Sequence, residues 1–379
     1  MDFELTQEQV AMKRMVRQFT KLEIAPYAAE WDEQGVFSRA TFNYMSELGL
    51  AGMSIPEEYG GTGLDNMTIA LALEEIAQGC AATATYLAVH NMVAGVIHKF
   101  GTAEQRLKLL PLMGKGKKLG AFCLTEPNAG SDAGGIQTIA RPEGDDFIIN
   151  GSKIYITSGG EAEIHVVVVK TGVKKKSAVI STFIVEKGTP GFTFGKTERK
   201  MGLNASPNRE LVFQDCRIPK ENLLGSPGQG FKIAMTALES GRINIGSIAV
   251  GLAQAALDTA VQYAKERRQF GRPIAGFQGL QFMMADMATD IEAARGLVQR
   301  AAFLLDRRKY ARTMVAMAKK FATDSAMRIT TDAVQIMGGC GYIKEYPVER
   351  YMRAAKVLQI LEGTNQIQRL LIAKDLLGW

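Results

Sequence analysis

Phe147-Ile-Ile-Asn-Gly-Ser-Lys-Ile-Tyr-Ile-Thr157 lies near the middle of a 379-residue chain and marks a change in its character. Two runs of β-branched and aromatic residues flank Asn150-Gly151, the dipeptide that most favours a two-residue hairpin turn. The stretch therefore predicts a pair of antiparallel strands. Beyond it, Val166–Val169, Val179–Val185, Phe192/Phe194 and Leu211–Phe213 add short runs of the same kind. Close spacing of such runs over residues 120–226 predicts a small β-barrel or sandwich.

On either side the apolar period is helical. Thr6 with Gln9 forms a capping box, and Met12, Met15, Val16, Phe19 and Leu22 follow at helical spacing, with Pro26 as the expected end. Ile69, Leu73 and Ile76 resume that spacing after Gly60-Gly61-Thr62-Gly63. Past the strands, long helices are expected at about 230–268, 278–308, 312–337 and 347–377, the last broken near Gly363. Phe282, Ala285, Leu297, Phe303 and Leu304 fit their apolar faces, and helices of this length suit an antiparallel bundle. The expectation is an α+β chain with an N-terminal helical domain (1–119), a middle β-domain (120–226) and a C-terminal four-helix bundle (227–379).

Hydrophobic residues at 46% and charged residues at 22% exclude a disordered or collagen-like chain. No apolar run is long enough for a membrane helix, and Asp2, Glu4 and Glu8 leave no secretory or transit signature at the N-terminus. A soluble intracellular protein is expected. Cys80, Cys123, Cys216 and Cys340 are widely spaced, and His90, His98 and His165 form no ligand set, so neither disulfides nor a metal centre is expected. The net charge of +6 is mild, and the basic runs Lys115/Lys117/Lys118 and Lys174–Lys176 read as solvated loops. Gly225-Ser-Pro-Gly-Gln-Gly230 has glycines at dinucleotide spacing but no βαβ surroundings, so it reads as a turn.

Three segments carry polar groups suited to chemistry. Cys123-Leu-Thr-Glu-Pro-Asn-Ala-Gly-Ser-Asp132 offers hydroxyls and backbone amides at the entry to the strand region, or is simply a loop. Glu266-Arg-Arg-Gln-Phe-Gly-Arg-Pro273 places three arginines at a helix end, where they can clamp a pyrophosphate or merely face the helix dipole. In Ile360-Leu-Glu-Gly-Thr-Asn-Gln-Ile-Gln-Arg369, Glu362 stands between apolar residues and a glycine, before a helix that Thr364 or Asn365 can cap. It reads either as an exposed first-turn glutamate or as a desolvated carboxylate whose raised basicity suits removal of a proton from carbon.

Together with QIMGGCGY (335–342), these segments, in this order and across this layout, resemble the acyl-CoA dehydrogenase family over nearly the whole chain. The resemblance implies a homotetrameric flavoprotein holding FAD non-covalently. Phe122, Leu124, Thr125 and Ser131 would lie along the flavin and the thioester. Tyr155, where relatives usually carry Trp or Phe, and Thr157 would pack on the isoalloxazine and hydrogen-bond to it. Arg267, Phe270 and Gln278 would reach the pyrophosphate and adenosine, and Gln335, Gly338 and Gly339 would do so from a neighbouring subunit. Thr364 and Gln366 would complete the cofactor site.

The implied reaction is α,β-desaturation of an acyl-CoA. Glu362 takes the α-proton, flavin N5 accepts the β-hydride, and an electron-transferring flavoprotein then receives the electrons. Ser131, Glu239 and Gly363 would contact substrate, with Arg242 as the charged partner of the CoA arm. Some relatives, including the isovaleryl and long-chain types, carry the base just before the position of Arg242, where this chain has Gly241. Segments 79–92 and 241–247, MGLNASPNRE, and ILEG in place of IYEG are similar to the isobutyryl-CoA type, with butyryl-CoA the nearest alternative. No nucleic-acid or membrane partner is expected. An acyl-CoA oxidase is disfavoured because the chain stops at Trp379, and a non-catalytic acyl-CoA- or nucleic-acid-binding member of the fold is the reading from another class. The resemblance fits bacterial cytoplasm or, for a processed form, the mitochondrial matrix.

Overall fold

Thr6 begins the first helix as its spacing predicts. Gln9 N–H donates to Thr6 Oγ1 at 3.2 Å while Thr6 N–H donates to the Gln9 side chain at 3.1 Å, opening α1 (Gln7–Phe19). Val16 and Phe19 are buried and Met12 and Met15 pack against the core, but Leu22 stays exposed. Pro26 does not end the helical path. The backbone widens into a π turn over Thr20–Ile24, tightens to a 3-10 turn over Ala25–Tyr27 and enters α2 (Ala28–Gln34). Proline is tolerated there because a residue starting a new turn needs no intrahelical acceptor for its N–H.

The computed structural model describes residues 4–174 and 177–379; Asp2 and, from the second basic run, Lys175 and Lys176 lie outside them. After α3 (Arg39–Glu47), α4 (Asn66–Gly79), α5 (Ala81–Phe100) and α6 (Ala103–Gly114) complete the N-terminal helices. Ile69, Leu73 and Ile76 are buried on α4, as their period predicts.

The middle region contains β1 (Gly120–Cys123), β2 (Ile139–Glu143), β3 (Asp146–Thr157), β4 (Ile164–Lys174), β5 (Ser177–Glu186), β6 (Phe192–Thr197), β7 (Asn208–Pro219) and β8 (Leu223–Leu224). Their order is β6-β7-β3-β2-β4-β5-β8, with β1 parallel to β4. Between β2 and β4 the register pairs Ile139 with Lys170 alone. The sheet folds over at that joint, so its halves face each other. Phe147 of β3 packs on Phe183 of β5 at 4.9 Å between ring centroids, and His165 of β4 packs on Phe192 of β6 at 4.8 Å.

The hairpin expected at Asn150-Gly151 does not form. β3 runs through both residues and bulges against β7, where the register jumps between Ile149 and Gly151. The reversal comes earlier, at Gly144 (φ 63°), between β2 and β3. Gly151 has φ 140°, and a Cβ on it would meet the Thr138 Cα at 2.7 Å. Asn150 accepts the Asp215 N–H at 2.9 Å and donates to the Asp215 carboxylate at 3.1 Å. The same dipeptide that favours a turn here satisfies a bulge.

The C-terminal region comprises α7 (Gly230–Glu266), the short hairpin β9 (Arg268–Gln269) and β10 (Arg272–Pro273), α8 (Gln278–Asp306), α9 (Arg312–Met337), α10 (Gly339–Tyr342), α11 (Val348–Leu358) and α12 (Asn365–Leu377). Gly225–Gly230 is the turn into α7, as read. α7 packs against α8, α9 and α11 of its own region and against α4 and α5 of the N-terminal one. Buried residues of all three regions therefore join one apolar cluster. On α8 the expected face is only partly the buried one. Met287, Ile291, Ala294, Val298 and Ala301 are buried and Leu297 and Leu304 pack beside them, whereas Phe282, Ala285 and Phe303 are exposed. The helix carries two apolar stripes, and one chain covers only one of them.

Candidate active site

Between α11 and α12 the backbone turns through two successive left-handed residues, Glu362 (φ 55°) and Gly363 (φ 89°). Glycine adopts this region freely, but a glutamate there is strained by about 1–2 kcal/mol. Four side-chain hydrogen bonds hold the turn. Arg242 Nε donates to the Glu362 carbonyl at 3.0 Å and Gln368 Nε2 donates to it at 3.4 Å. Lys319 Nζ and Gln368 Nε2 donate to the Gly363 carbonyl at 3.1 and 2.8 Å. Thr364 then caps α12, accepting the Ile367 N–H at 3.3 Å.

The turn directs the Glu362 carboxylate into the protein. Its Oε2 is sealed from solvent and has no hydrogen-bond partner among the described residues. Burial pushes this carboxyl up to about 7, against the opposing pull of Arg242 and Lys319. A carboxylate balanced near neutrality, dry and unpaired, is suited to accept a proton from a weak acid. Burial likewise pushes the Lys319 ammonium down to about 7, with the Glu362 charge as the main opposing influence.

Gly241 of α7 lies against that carboxylate: a Cβ there would stand 2.7 Å from Glu362 Oε2 and 3.1 Å from Met92 Sδ. Arg242, expected as the charged partner of a CoA arm, is instead buried, and its guanidinium is turned onto the Glu362 carbonyl. A long side chain on the inner face of α7 meets the turn before it can meet solvent, so Arg242 braces the Glu362 turn. Glu239, one turn earlier, is half-buried. Gly363 has its carbonyl committed to Lys319 and Gln368.

The loop after β1 is the second segment in which site residues were expected. Phe122, Leu124 and Thr125 are half-buried and Ser131 is exposed. Lys153, fully buried on β3, donates to Glu126 at 2.6 Å and to the Leu124 carbonyl at 3.0 Å. Glu126 also accepts the amides of Gln137 and Thr138 at 2.6 and 3.1 Å. The Thr125 carbonyl accepts the Ile154 N–H at 2.9 Å, bringing the loop beside Tyr155. Tyr155 is 62% exposed at φ 56°, and Asn208 Nδ2 reaches both its carbonyl (3.0 Å) and Thr157 Oγ1 (3.4 Å). Phe122 packs on the apolar cluster that contains Met92, whose Sδ lies near Gly241.

The remaining expected residues lie elsewhere. Arg267 and Gln278 are exposed, and Phe270 (φ 51°, 92% exposed) forms the tip of the β9–β10 hairpin with Gly271 (φ 79°). Gln335, Gly338 and Gly339 are exposed at the end of α9, and Gln366 is exposed on α12. Cys340 raises the Tyr263 phenol, which puts the end of α7 near α10. No hydrogen bond among the described residues joins the hairpin to the Glu362 turn.

Sequence reasoning missed Lys319, Gln368, Met92, Asn208, Glu126 and Lys153. One of these left a readable signal. Val315, Lys319, Ala322, Ala326 and Ile329 share one buried helical stripe, so Lys319 is a charge on an apolar face. For Lys153 the bulges in β3 break the alternation that would reveal an inward lysine.

Comparison with known proteins gives the chain's family. Residues 6–117, 121–216 and 228–377 match the N-terminal, middle and C-terminal domain models of acyl-CoA dehydrogenases. The chain is 44% identical to the mitochondrial isobutyryl-CoA dehydrogenase of Dictyostelium discoideum, over 98% of this chain and 90% of that one. Its fold matches that of butyryl-CoA dehydrogenase from Megasphaera elsdenii with a TM-score of 0.97 at 46% identity, covering 100% of both chains. Equally similar, at a TM-score of 0.97 and 51% identity over 100% of both chains, is a solved structure described as the electron transferring flavoprotein of Acidaminococcus fermentans, towards a mechanism of flavin-based electron bifurcation. With models matching nearly its whole length, the chain belongs to the acyl-CoA dehydrogenase family, a family of oxidoreductases.

Proposed function

We propose that this chain oxidises a short, branched acyl-CoA thioester of the isobutyryl type to the α,β-unsaturated thioester, with Glu362 as the base. The observation that carries the reading is the half-buried Glu362 side chain, held on a strained turn with its Oε2 sealed from solvent and unpartnered among the described residues, and raised by burial to about 7. Glu362 accepts the α-proton and ends the step as a neutral carboxylic acid. Its own amide donates to no acceptor among the described residues, which leaves a donor for the developing charge on the thioester oxygen. Arg242 and Gln368 keep the turn in place as the carboxyl changes charge.

The residues present fit FAD. Tyr155 stands out on left-handed backbone as an exposed aromatic plate, three residues before the buried Ser158 hydroxyl, which finds no partner among the described residues. A flat ring with a polar edge suits that pairing. Phe122, Leu124, Thr125, Ser131, Tyr155, Thr157, Thr364 and Gln366 would hold the ring system. Arg267, Phe270 and Gln278 would hold the pyrophosphate and adenosine, joined by Gln335, Gly338 and Gly339 of a second copy. When bound, FAD supplies the two-electron acceptor for the β-hydrogen.

Exposed Phe270, Phe282 and Phe303 support association, and a homotetramer is the proposed assembly. Similarity to the chain described with an electron transferring flavoprotein supports such a flavoprotein as the electron acceptor. Likeness to the Dictyostelium enzyme supports the isobutyryl substrate, and the proposal places the reaction in branched-chain amino acid breakdown, in bacterial cytoplasm or the mitochondrial matrix. Butyryl-CoA is the second reading, supported by the Megasphaera structure. Anaerobic titration of the flavoprotein with isobutyryl-, butyryl-, isovaleryl- and octanoyl-CoA ranks them by flavin bleaching. Bleaching first by isobutyryl-CoA supports the proposal, bleaching first by butyryl-CoA replaces the substrate, and no bleaching by any thioester overturns it.

A further inference from the structure

We propose that Lys319 is a positioning residue for the base: its buried ammonium clamps the turn that carries Glu362, and its positive charge acts on the carboxylate from beyond ion-pair distance. The inference rests on the reading of Glu362 as base.

Lys319 is fully buried near the start of α9. Its Nζ donates to the Gly363 carbonyl at 3.1 Å and to Asn365 Oδ1 at 2.9 Å, the residues just after the base. No carboxylate among the described residues lies within ion-pair distance of it, although Lys320, its neighbour, pairs with Asp324 at 3.4 Å. An ammonium kept dry without a paired anion is costly to bury, and a methionine of similar length would fill the space without that cost.

A simple staple between α9 and α12 does not require this lysine. Asn365 Nδ2 already donates to Thr323 Oγ1 at 2.9 Å and to Asp324 Oδ1 at 2.7 Å, and Gln359 donates to Asp324 at 2.7 Å. What Lys319 adds is a second donor to the carbonyl after the left-handed pair, and a charge. The charged groups acting on it are Glu362 on the turn, Arg242 from α7 and Asp324 on its own helix; Glu239 and Arg312 act in turn on Arg242. Among them Glu362 opposes the burial of its charge most strongly.

The test compares wild type, Lys319→Met, Lys319→Gln and Glu362→Gln as FAD-loaded enzymes, by FAD content, melting temperature and kcat/KM from pH 5.5 to 9.5. Loss of the lysine charge should move the acid limb of kcat/KM up by roughly one pH unit. The deficit should then be about tenfold below the limb and shrink as pH rises. Lys319→Gln, whose amide can still donate, should regain more of the high-pH kcat than Lys319→Met. A uniform deficit at every pH, an unmoved limb, or failure of both lysine variants to fold overturns the proposal. Turnover retained by Glu362→Gln overturns the base assignment itself. An inactive Glu362→Gln alongside lysine variants with a wild-type limb overturns the role of Lys319 alone.

Discussion

Gly241 and Glu362 converge on one point from two elements, the middle of α7 and the turn before α12. A Cβ on Gly241 would stand 2.7 Å from Glu362 Oε2 and 2.9 Å from its Cδ, closer than unbonded atoms approach. The missing side chain on one element is the room for the carboxylate of the other. Gly241→Ala is therefore expected to fold and bind FAD while displacing the base, lowering kcat by roughly 10–100-fold, since small misplacements of a reacting group are costly. Stopped-flow measurement of flavin reduction checks this, and reduction at the wild-type rate would remove the steric argument.

Glu362→Gln keeps the shape of the turn and removes the basic lone pair. FAD and acyl-CoA binding should persist, and reduction of the flavin by substrate should fall by about 10³-fold or more, within the range for loss of a general base. Near-normal reduction would reassign the base.

The raised Glu362 carboxyl has consequences for both activity and stability. Activity needs the carboxylate, so kcat/KM should rise with pH through about 7. For stability the sign is reversed. A carboxyl near 7 when folded and 4.5 when unfolded binds its proton more tightly in the native state. Its stabilising contribution is full below about pH 4.5 and is lost as pH rises through 7. Glu362→Gln cannot lose it, so the variant should be the more stable protein at pH 8, by about 1–3 kcal/mol, and the gap should close below pH 4.5. Denaturant titrations of both proteins across that range measure the difference.

Glu126→Ala strands the Lys153 ammonium in the interior and frees two backbone amides, those of Gln137 and Thr138. Breaking one side of a buried pair costs about 3–5 kcal/mol. The loop carrying Leu124 and Thr125 loses its anchor in the same step, so FAD should be released at lower denaturant concentration than the fold is lost. Flavin fluorescence followed alongside circular dichroism separates the two events, and coincident transitions at the wild-type midpoint would count against this anchoring role.

Local chemistry made much of the architecture readable. The capping box at Thr6, the helical stripe of α4, the span of α7 and the valine-rich β4 lie where local pattern predicts, because each depends on neighbours within a few residues. Asn150-Gly151 misled for the same reason. Its preference for left-handed and bulged backbone is local, but whether it makes a turn or a bulge depends on Thr138, just before β2, and Asp215 of β7. Phe282 and Phe303 show the same limit, since periodicity marks an apolar face without saying whether the same chain covers it.

The order of helical, stranded and helical regions, and the glutamate beside a glycine before a capped helix, were determined by the sequence itself, through period and spacing. The folded chain alone decided that Arg242 turns inward, that Lys319 donates to the turn without an ion-pair partner among the described residues, and that Gly241 leaves the space the carboxylate occupies. Those relations join residues 43 to 121 positions apart. Desolvation and charge act through distance in space, and in this protein that distance is set by how α7 and α9 pack around the turn.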